Sequence, residues 1–138
     1  MKLRACIFAF ALVASSHPFD ASAASSQKVD VDVRGQKLTL AVYVPSADVH
    51  VRGTILLGSG DVGWVGLATK LAEFLSDDGY IVAGINARQY LAAFADGPRH
   101  LEVHQVPADY DLLATALRSR GLLQRPVILA GVSEGAAL

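Results

Sequence analysis

Two stretches near the N-terminus alternate between apolar and polar residues. In the first, Val29, Val31 and Val33 alternate with charged residues, and the second runs from Leu38 to Val44. A period of two puts successive side chains on opposite faces of a β-strand. Because only a short turn separates the two stretches, they predict an antiparallel hairpin.

Three continuous apolar runs follow, at Thr54 to Leu57, Tyr80 to Ile85 and Val127 to Ala130, and such runs are typical of strands covered on both faces. The segments between them carry apolar residues at helical spacing. These are Ala68, Leu71, Ala72 and Leu75 in the first segment, and Tyr110, Leu113, Ala114 and Leu117 in the second. Gly79 and Gly121 fit the helix ends, and Pro107 fits the start of the second helix. Alternating strands and helices predict parallel crossovers and therefore an α/β fold.

The first residues have the three parts of a secretory signal. Lys2 and Arg4 precede an apolar stretch from Ala5 to Ala14, and a polar segment then ends in Ala21-Ser22-Ala23. The apolar stretch is far shorter than the roughly 20 residues of a membrane-spanning helix. We therefore predict a signal peptide over residues 1–23, cleavage after Ala23, and a periplasmic or secreted protein. Cys6, the only cysteine, lies inside this segment, so no disulfide is expected in the mature chain.

Length and charge limit the remaining 24–138 segment. The formal net charge of the chain is −1 and no basic cluster stands out, so no nucleic-acid partner is expected. A many-stranded parallel sheet usually needs a longer chain than this one. We predict one domain over residues 24–138, corresponding to the N-terminal part of a larger fold.

The pentapeptide Gly131-Val132-Ser133-Glu134-Gly135 directly follows the last apolar run. It fits the G-x-S-x-G nucleophile elbow, a sharp turn between a strand and a helix that exposes a serine. Ser133 is therefore the candidate nucleophile, and the backbone N–H of Glu134 is a candidate oxyanion donor. The alternative is a glycine-rich turn that only packs a helix against a sheet.

A glycine-rich loop from Gly58 to Trp64 begins where the third strand should end. Hydrolases with a nucleophile elbow take a second oxyanion donor from such a loop. We assign this donor to the Asp61 backbone N–H, with the Gly60 N–H as the second choice. The Asp61 carboxylate either bonds neighbouring amides as a turn residue or faces a cationic substrate group. Gly60 and Trp64 are candidate substrate contacts, with packing as the alternative for Trp64.

The fourth strand should end before Asn86, and loops at the carboxyl ends of parallel strands are where ligands bind. Arg88 in that segment is a candidate for binding an anionic head group, and a solvated arginine is the alternative. His100 and His104 do not have the H-E-x-x-H spacing of zinc proteases, so no metal and no cofactor are predicted.

The order of a hydrolase triad is serine, then an acid, then histidine, and His50, His100 and His104 all precede Ser133. The base and the acid are therefore expected to follow Ser133 in a longer parent enzyme. The predicted fold class is an α/β-hydrolase-like sheet, with an antiparallel N-terminal hairpin and then parallel strands with crossover helices, truncated after the nucleophile elbow. These residues alone are expected to be inactive and poorly folded, because the run from Val127 to Ala130 is expected to form an unpaired apolar edge.

Residues 53–138, with the G-D-x-G-W loop and the elbow, resemble the bacterial VirJ-type virulence-protein domain. The resemblance implies a periplasmic α/β-hydrolase-like protein that hydrolyses aminoacylated phospholipids such as lysyl-phosphatidylglycerol at a membrane surface. It also suits a cationic acyl group near Asp61. Val62 and Glu134 stand where that family has a glycine and an aromatic residue. A non-catalytic periplasmic binding or adaptor protein on the same scaffold is the alternative.

Overall fold

The structure is a computed structural model that describes residues 24–95 and 102–137. The predicted signal peptide and His100 lie outside these residues. The strands are β1 (Ser25–Val33), β2 (Gln36–Val44), β3 (Gly53–Gly58), β4 (Tyr80–Ile85) and β5 (Val127–Gly131). The helices are α1 (Leu67–Asp77), α2 (Ala87–Ala93) and α3 (Val106–Arg118), with short 3-10 turns at Val103–Gln105 and Ser133–Ala136.

All five strands form one mixed sheet in the order β1-β2-β4-β3-β5. The β1–β2 and β2–β4 pairs are antiparallel, and β3 lies parallel to both β4 and β5. One apolar cluster joins one face of the sheet to α2 and α3, and a second cluster joins the other face to α1. The predicted hairpin, parallel strands and crossover helices are confirmed.

The hairpin turn consists of Arg34 and Gly35, which both have positive φ angles, of 51° and 77°. Val33 pairs with Gln36 across this turn. Two-residue turns of this kind match the right-handed twist of the strands they connect. The alternating valines and leucines of both strands are buried on the face that packs against α3, as their period of two predicts.

The strand β5 differs from the two other apolar runs. Every residue of β3 is buried, whereas Val127, Ile128 and Leu129 of β5 are 40%, 39% and 64% exposed. Within the described residues β5 pairs only with β3, and an apolar groove of about 700 Å³ runs beside it between Leu129, Val106 and Tyr110. The faces of this run are therefore less covered than its continuous apolar pattern predicts, while its position at the edge of the sheet agrees with the expected unpaired edge.

Helix α2 corrects the interpretation of the segment after β4. The sequence predicts a loop there, but Asn86 caps a helix, and its side-chain oxygen accepts a hydrogen bond from the Gln89 N–H at 3.2 Å. Arg88 therefore lies in the first turn of a helix and not in a loop.

In the part of the chain that the structure describes, no helix combines the length and the apolar character needed to cross a bilayer.

A buried ion pair links the hairpin turn to α3. The Arg34 guanidinium donates to both carboxylate oxygens of Asp109, at 2.9 and 2.6 Å, and lies 3.7 Å from the centre of the Phe94 ring. The Tyr90 hydroxyl donates to Asp109 at 2.6 Å. Burial, and then this hydrogen bond, raises the pKa of Tyr90 above its usual range. These contacts hold β1, α2 and α3 together on one side of the sheet.

We expect Asp109→Ala to lower the free energy of unfolding by about 3 kcal/mol, because Arg34 loses its buried partner. Arg34 keeps partial access to water, so the effect should fall at the low end for buried pairs. Urea unfolding of the intact protein measures the change. Asp111→Ala is the control, since Asp111 is exposed on the same helix and its loss should cost no more than about 0.5 kcal/mol. Equal losses in both variants would contradict this role of the ion pair.

Candidate active site

The chain turns sharply at Ser133, immediately after β5. Ser133 has a φ angle of +53° and is exposed, and the following residues form the 3-10 turn. A side chain in this left-handed region costs roughly 1–2 kcal/mol relative to ordinary helical backbone. Two backbone hydrogen bonds hold the turn, from the Val132 N–H to the Gly58 oxygen at 2.9 Å and from the Gly135 N–H to the Val132 oxygen at 3.0 Å. The serine is thus presented on a strained, well-braced turn.

Three glycines let the turn pack directly on the end of β3. A Cβ atom on Gly58 would lie 2.6 Å from the Gly135 carbonyl oxygen, and one on Gly131 would overlap that same oxygen. A Cβ on Gly135 would overlap the carbonyl oxygens of Ser59 and Gly58. Backbone therefore contacts backbone with no side chain between. This contact is the physical reason for glycine on both sides of the serine.

Ser59 connects the glycine-rich loop to the neighbouring elements. It is fully buried, its N–H bonds the Ile85 oxygen at 2.9 Å, and its hydroxyl accepts from the Ala87 N–H at 3.0 Å and donates to the Gly60 oxygen at 3.1 Å. Sequence reasoning did not single out this residue. The available signal was a hydroxyl between two glycines directly after a buried strand.

The loop held by Ser59 lies next to the candidate nucleophile. A Cβ on Gly60 would lie 3.5 Å from the Ser133 Cβ and 3.8 Å from the Glu134 Oε2. Asp61 follows Gly60, and its exposed carboxylate accepts a hydrogen bond from the Val62 N–H at 2.9 Å. The carboxylate thus bonds a neighbouring amide as a turn residue, which is the first of the two alternatives considered for it.

The Glu134 side chain contacts Ser133. The Ser133 hydroxyl donates to the Glu134 Oε2 at 2.6 Å. This bond is the largest cause that lowers the pKa of the Glu134 carboxyl, and the backbone N–H groups of Glu134 itself and of Asp61 lower it further. The structure thus brings Ser133, Gly60, Asp61 and Glu134 together around one point, and their chemical roles stay a prediction.

Trp64 and Arg88, two of the candidate substrate contacts, are not part of this group of four residues. The Trp64 ring packs so closely on Gly84 that a Cβ there would overlap it, and its N–H lies 3.4 Å from the Tyr43 hydroxyl. These are the contacts of a packing residue, the alternative considered for it. Arg88 is exposed on α2, and no described hydrogen bond joins it to Ser133 or its neighbours.

Titratable side chains are sparse around this group. Over residues 24–95 and 102–137, no set of three or more His, Cys, Asp or Glu residues is arranged to hold a metal ion. His104 Nδ1 lies 3.1 Å from the Glu102 carboxylate. No histidine in these ranges has a hydrogen bond to Ser133, so the candidate nucleophile and the candidate amide donors have no candidate base beside them among the described residues.

A mixed sheet with a strained serine at the end of a parallel strand defines an α/β-hydrolase fold. Residues 53–138 match the bacterial virulence protein (VirJ) family, and the chain belongs to that family. No curated protein matches the chain.

Solved α/β-hydrolases share the fold. A dienelactone hydrolase-type protein from Klebsiella pneumoniae has a TM-score of 0.61 at 15% identity, over 82% of this chain and 51% of its own. A cold-adapted esterase from an Arctic intertidal metagenomic library has a TM-score of 0.61 at 18% identity, over 82% and 52%. A lidless α/β serine hydrolase from Xanthomonas campestris has a TM-score of 0.52 at 23% identity, over 81% and 52%. The chain thus spans about half the length of these structures.

We expect Gly135→Ala to destabilise the protein by about 1–3 kcal/mol or more, because the added methyl group overlaps backbone that cannot rotate away. Gly121→Ala is the control for an added methyl group that meets no other atoms. Gly121 follows α3 with a φ of +69°, and open space surrounds its Cβ position, so only backbone strain of about 1 kcal/mol is expected. Urea unfolding of both variants makes the comparison, and a smaller loss for Gly135→Ala would rule out the close packing described here.

Proposed function

We propose that the complete protein carrying this chain is a serine hydrolase that cleaves an ester through Ser133. The observation that carries the proposal is the exposed serine at φ +53°, braced on β3 and facing the glycine-rich loop. A residue kept in a strained conformation marks a position where the surrounding structure favours geometry over stability. The esterase and hydrolase folds among the similar structures agree with this assignment.

The reaction is acyl transfer in two steps. The Ser133 Oγ attacks the ester carbonyl and forms an acyl–oxygen bond, and the bond to the alcohol breaks as the alcohol takes the proton. The backbone N–H groups of Asp61 and Glu134 stabilise the oxyanion, and Gly60 allows the loop to approach it. Water then releases the acid and restores the serine. A histidine and a carboxylate later in the protein serve as base and orienting acid.

The substrate is a small-molecule or lipid ester, and the family resemblance favours an aminoacylated phospholipid at a membrane surface. The Asp61 carboxylate accepts the Val62 N–H and is exposed, and we assign a positively charged acyl group of the substrate to its neighbourhood. Arg88, exposed at the start of α2, is the residue we assign to an anionic head group. Trp64 supports the loop through its packing on Gly84.

A non-catalytic binding or adaptor protein is the second candidate. One observation favours it: the hydrogen bond of the Ser133 hydroxyl goes to Glu134, and no histidine of the described residues replaces that partner. A serine without a base keeps its proton at neutral pH and is a poor nucleophile.

We expect Ser133→Ala to abolish both fluorophosphonate labelling and ester hydrolysis by the intact protein, since no other hydroxyl lies in the strained turn. Hydrolysis is measured with p-nitrophenyl butyrate and with vesicles of lysyl-phosphatidylglycerol, from which lysine is released. Ser119→Ala is the control, because its hydroxyl only bonds the Ala116 oxygen on the surface of α3.

Labelling that persists in Ser133→Ala would exclude this nucleophile. Hydrolysis of p-nitrophenyl butyrate without release of lysine would keep the enzyme and exclude the lipid substrate. A wild-type protein that is neither labelled nor active would favour the adaptor function.

We also propose that the protein is exported to the periplasm or secreted, with Ala24 as its first mature residue. The basic, apolar and small-residue parts of residues 1–23 support this assignment. N-terminal sequencing of the exported protein is expected to begin at Ala24. Replacing the apolar core residue Leu12 with arginine should leave an uncleaved protein in the cytoplasm, while Lys28→Arg should have no effect. Uncleaved wild-type protein in the cytoplasm would contradict the proposal.

A further inference from the structure

The carboxylate of Glu134 lies where a substrate oxygen should bind. Its Oε2 accepts the Ser133 hydroxyl at 2.6 Å and lies 3.8 Å from the position of a Cβ on Gly60. The carboxylate therefore lies beside both the candidate nucleophile and the loop that should bind the oxyanion. An ester carbonyl attacked by Ser133 has to place its oxygen in this same space.

The surroundings of the Glu134 carboxylate are those of an anion site. The Ser133 hydroxyl donates to it at 2.6 Å and the Gly60 backbone lies beside it, and the nearby backbone N–H groups of Glu134 and Asp61 also lower the pKa of this carboxyl. These are the two amides that the elbow geometry assigns to the oxyanion. A carboxylate oxygen and a tetrahedral oxyanion have the same charge and accept hydrogen bonds in the same way, so Glu134 can occupy the site in place of the substrate.

A role for Glu134 as the general base does not fit this geometry. A base works best with a pKa near the operating pH, whereas the contacts here lower the pKa of the carboxyl below its ordinary acidic value. A base in this position would also fill the space that the carbonyl oxygen needs. The side chain is exposed, so it can instead rotate into solvent without disturbing buried packing.

We infer that Glu134 is an internal ligand of the oxyanion site and controls which ligands reach Ser133. In the free protein the carboxylate fills the site, and an ester binds only by displacing it. The vacated site binds carboxylates in general, including the acid that ester cleavage produces. The inference rests on the proposed function for its link to catalysis, but the carboxylate site itself does not.

Binding of butyrate to the intact protein tests the inference without any chemistry. Butyrate is titrated into wild-type protein, Glu134→Ala and Glu134→Gln, and the amide NMR signals of Gly60, Asp61 and residue 134 are followed. Glu134→Ala is expected to bind butyrate at least about tenfold more tightly than wild type, because a charge-assisted hydrogen bond to the internal carboxylate no longer competes. Glu134→Gln keeps the shape of the side chain without its charge, so its affinity for butyrate should lie between those of wild type and Glu134→Ala. Glu73→Ala removes an exposed carboxylate from α1 and should match wild type.

Hydrolysis of p-nitrophenyl butyrate provides the second readout. Both Glu134 variants should lower KM, because substrate binding no longer has to displace the carboxylate. A kcat that falls to the level of Ser133→Ala in both variants would show a base and overturn the inference. Butyrate affinity equal to that of wild type in both variants, with unchanged urea unfolding, would overturn it as well.

The two proposals fail separately. If no variant hydrolyses esters but Glu134→Ala gains butyrate binding, the proposed function is wrong and the carboxylate site stands. If hydrolysis depends on Ser133 but butyrate binding and KM do not change, the proposed function stands and the inference is wrong.

Discussion

The direct contact between the elbow and the end of β3 is the constraint on which the candidate site depends. Gly58, Gly131 and Gly135 meet backbone to backbone, and a methyl group on any of them would displace the turn. Packing at this distance lets the Val132 N–H reach the Gly58 oxygen, and that hydrogen bond fixes where the next residue, Ser133, points. The candidate nucleophile is therefore positioned by the main chain, whose hydrogen bonds leave little freedom, and not by side-chain packing.

The same contact also brings the glycine-rich loop into the site. Ser59 contributes its carbonyl oxygen to the surface on which Gly135 packs, while its hydroxyl binds the amide at the start of α2. Three elements thus meet at one buried serine: β3, the elbow and α2. The position of Gly60 beside Ser133 follows from this junction, since Gly60 is the next residue along the chain.

The sequence predicted those parts of the fold whose cause is local. The period of two was sufficient to predict the hairpin, because one face of the hairpin is buried. The G-x-S-x-G spacing was sufficient to predict the elbow, because the backbone contact there excludes residues other than glycine. Helix α2 was missed because seven residues show little periodicity, although Asn86 was an available cap signal. The edge position of β5 was predicted, but the exposure of its faces was not, because a continuous apolar run does not show which helices cover a strand. The Arg34–Asp109 pair joins residues 75 positions apart, and no local pattern could indicate it.

Glu134 shows the limit of reading a motif by its backbone alone. The motif gives a role only to the backbone N–H of the residue after the serine. It therefore gives no reason to expect that a carboxylate side chain there affects the mechanism. In the fold, that side chain lies beside a hydroxyl and the glycine loop, among donors that favour negative charge. If these donors bind a transition-state anion, as we propose, they attract any other anion within reach, and the nearest one is attached to the site itself. Selectivity for an ester over this internal carboxylate would then have to come from contacts made elsewhere on the substrate, because the donor set alone favours the charged group.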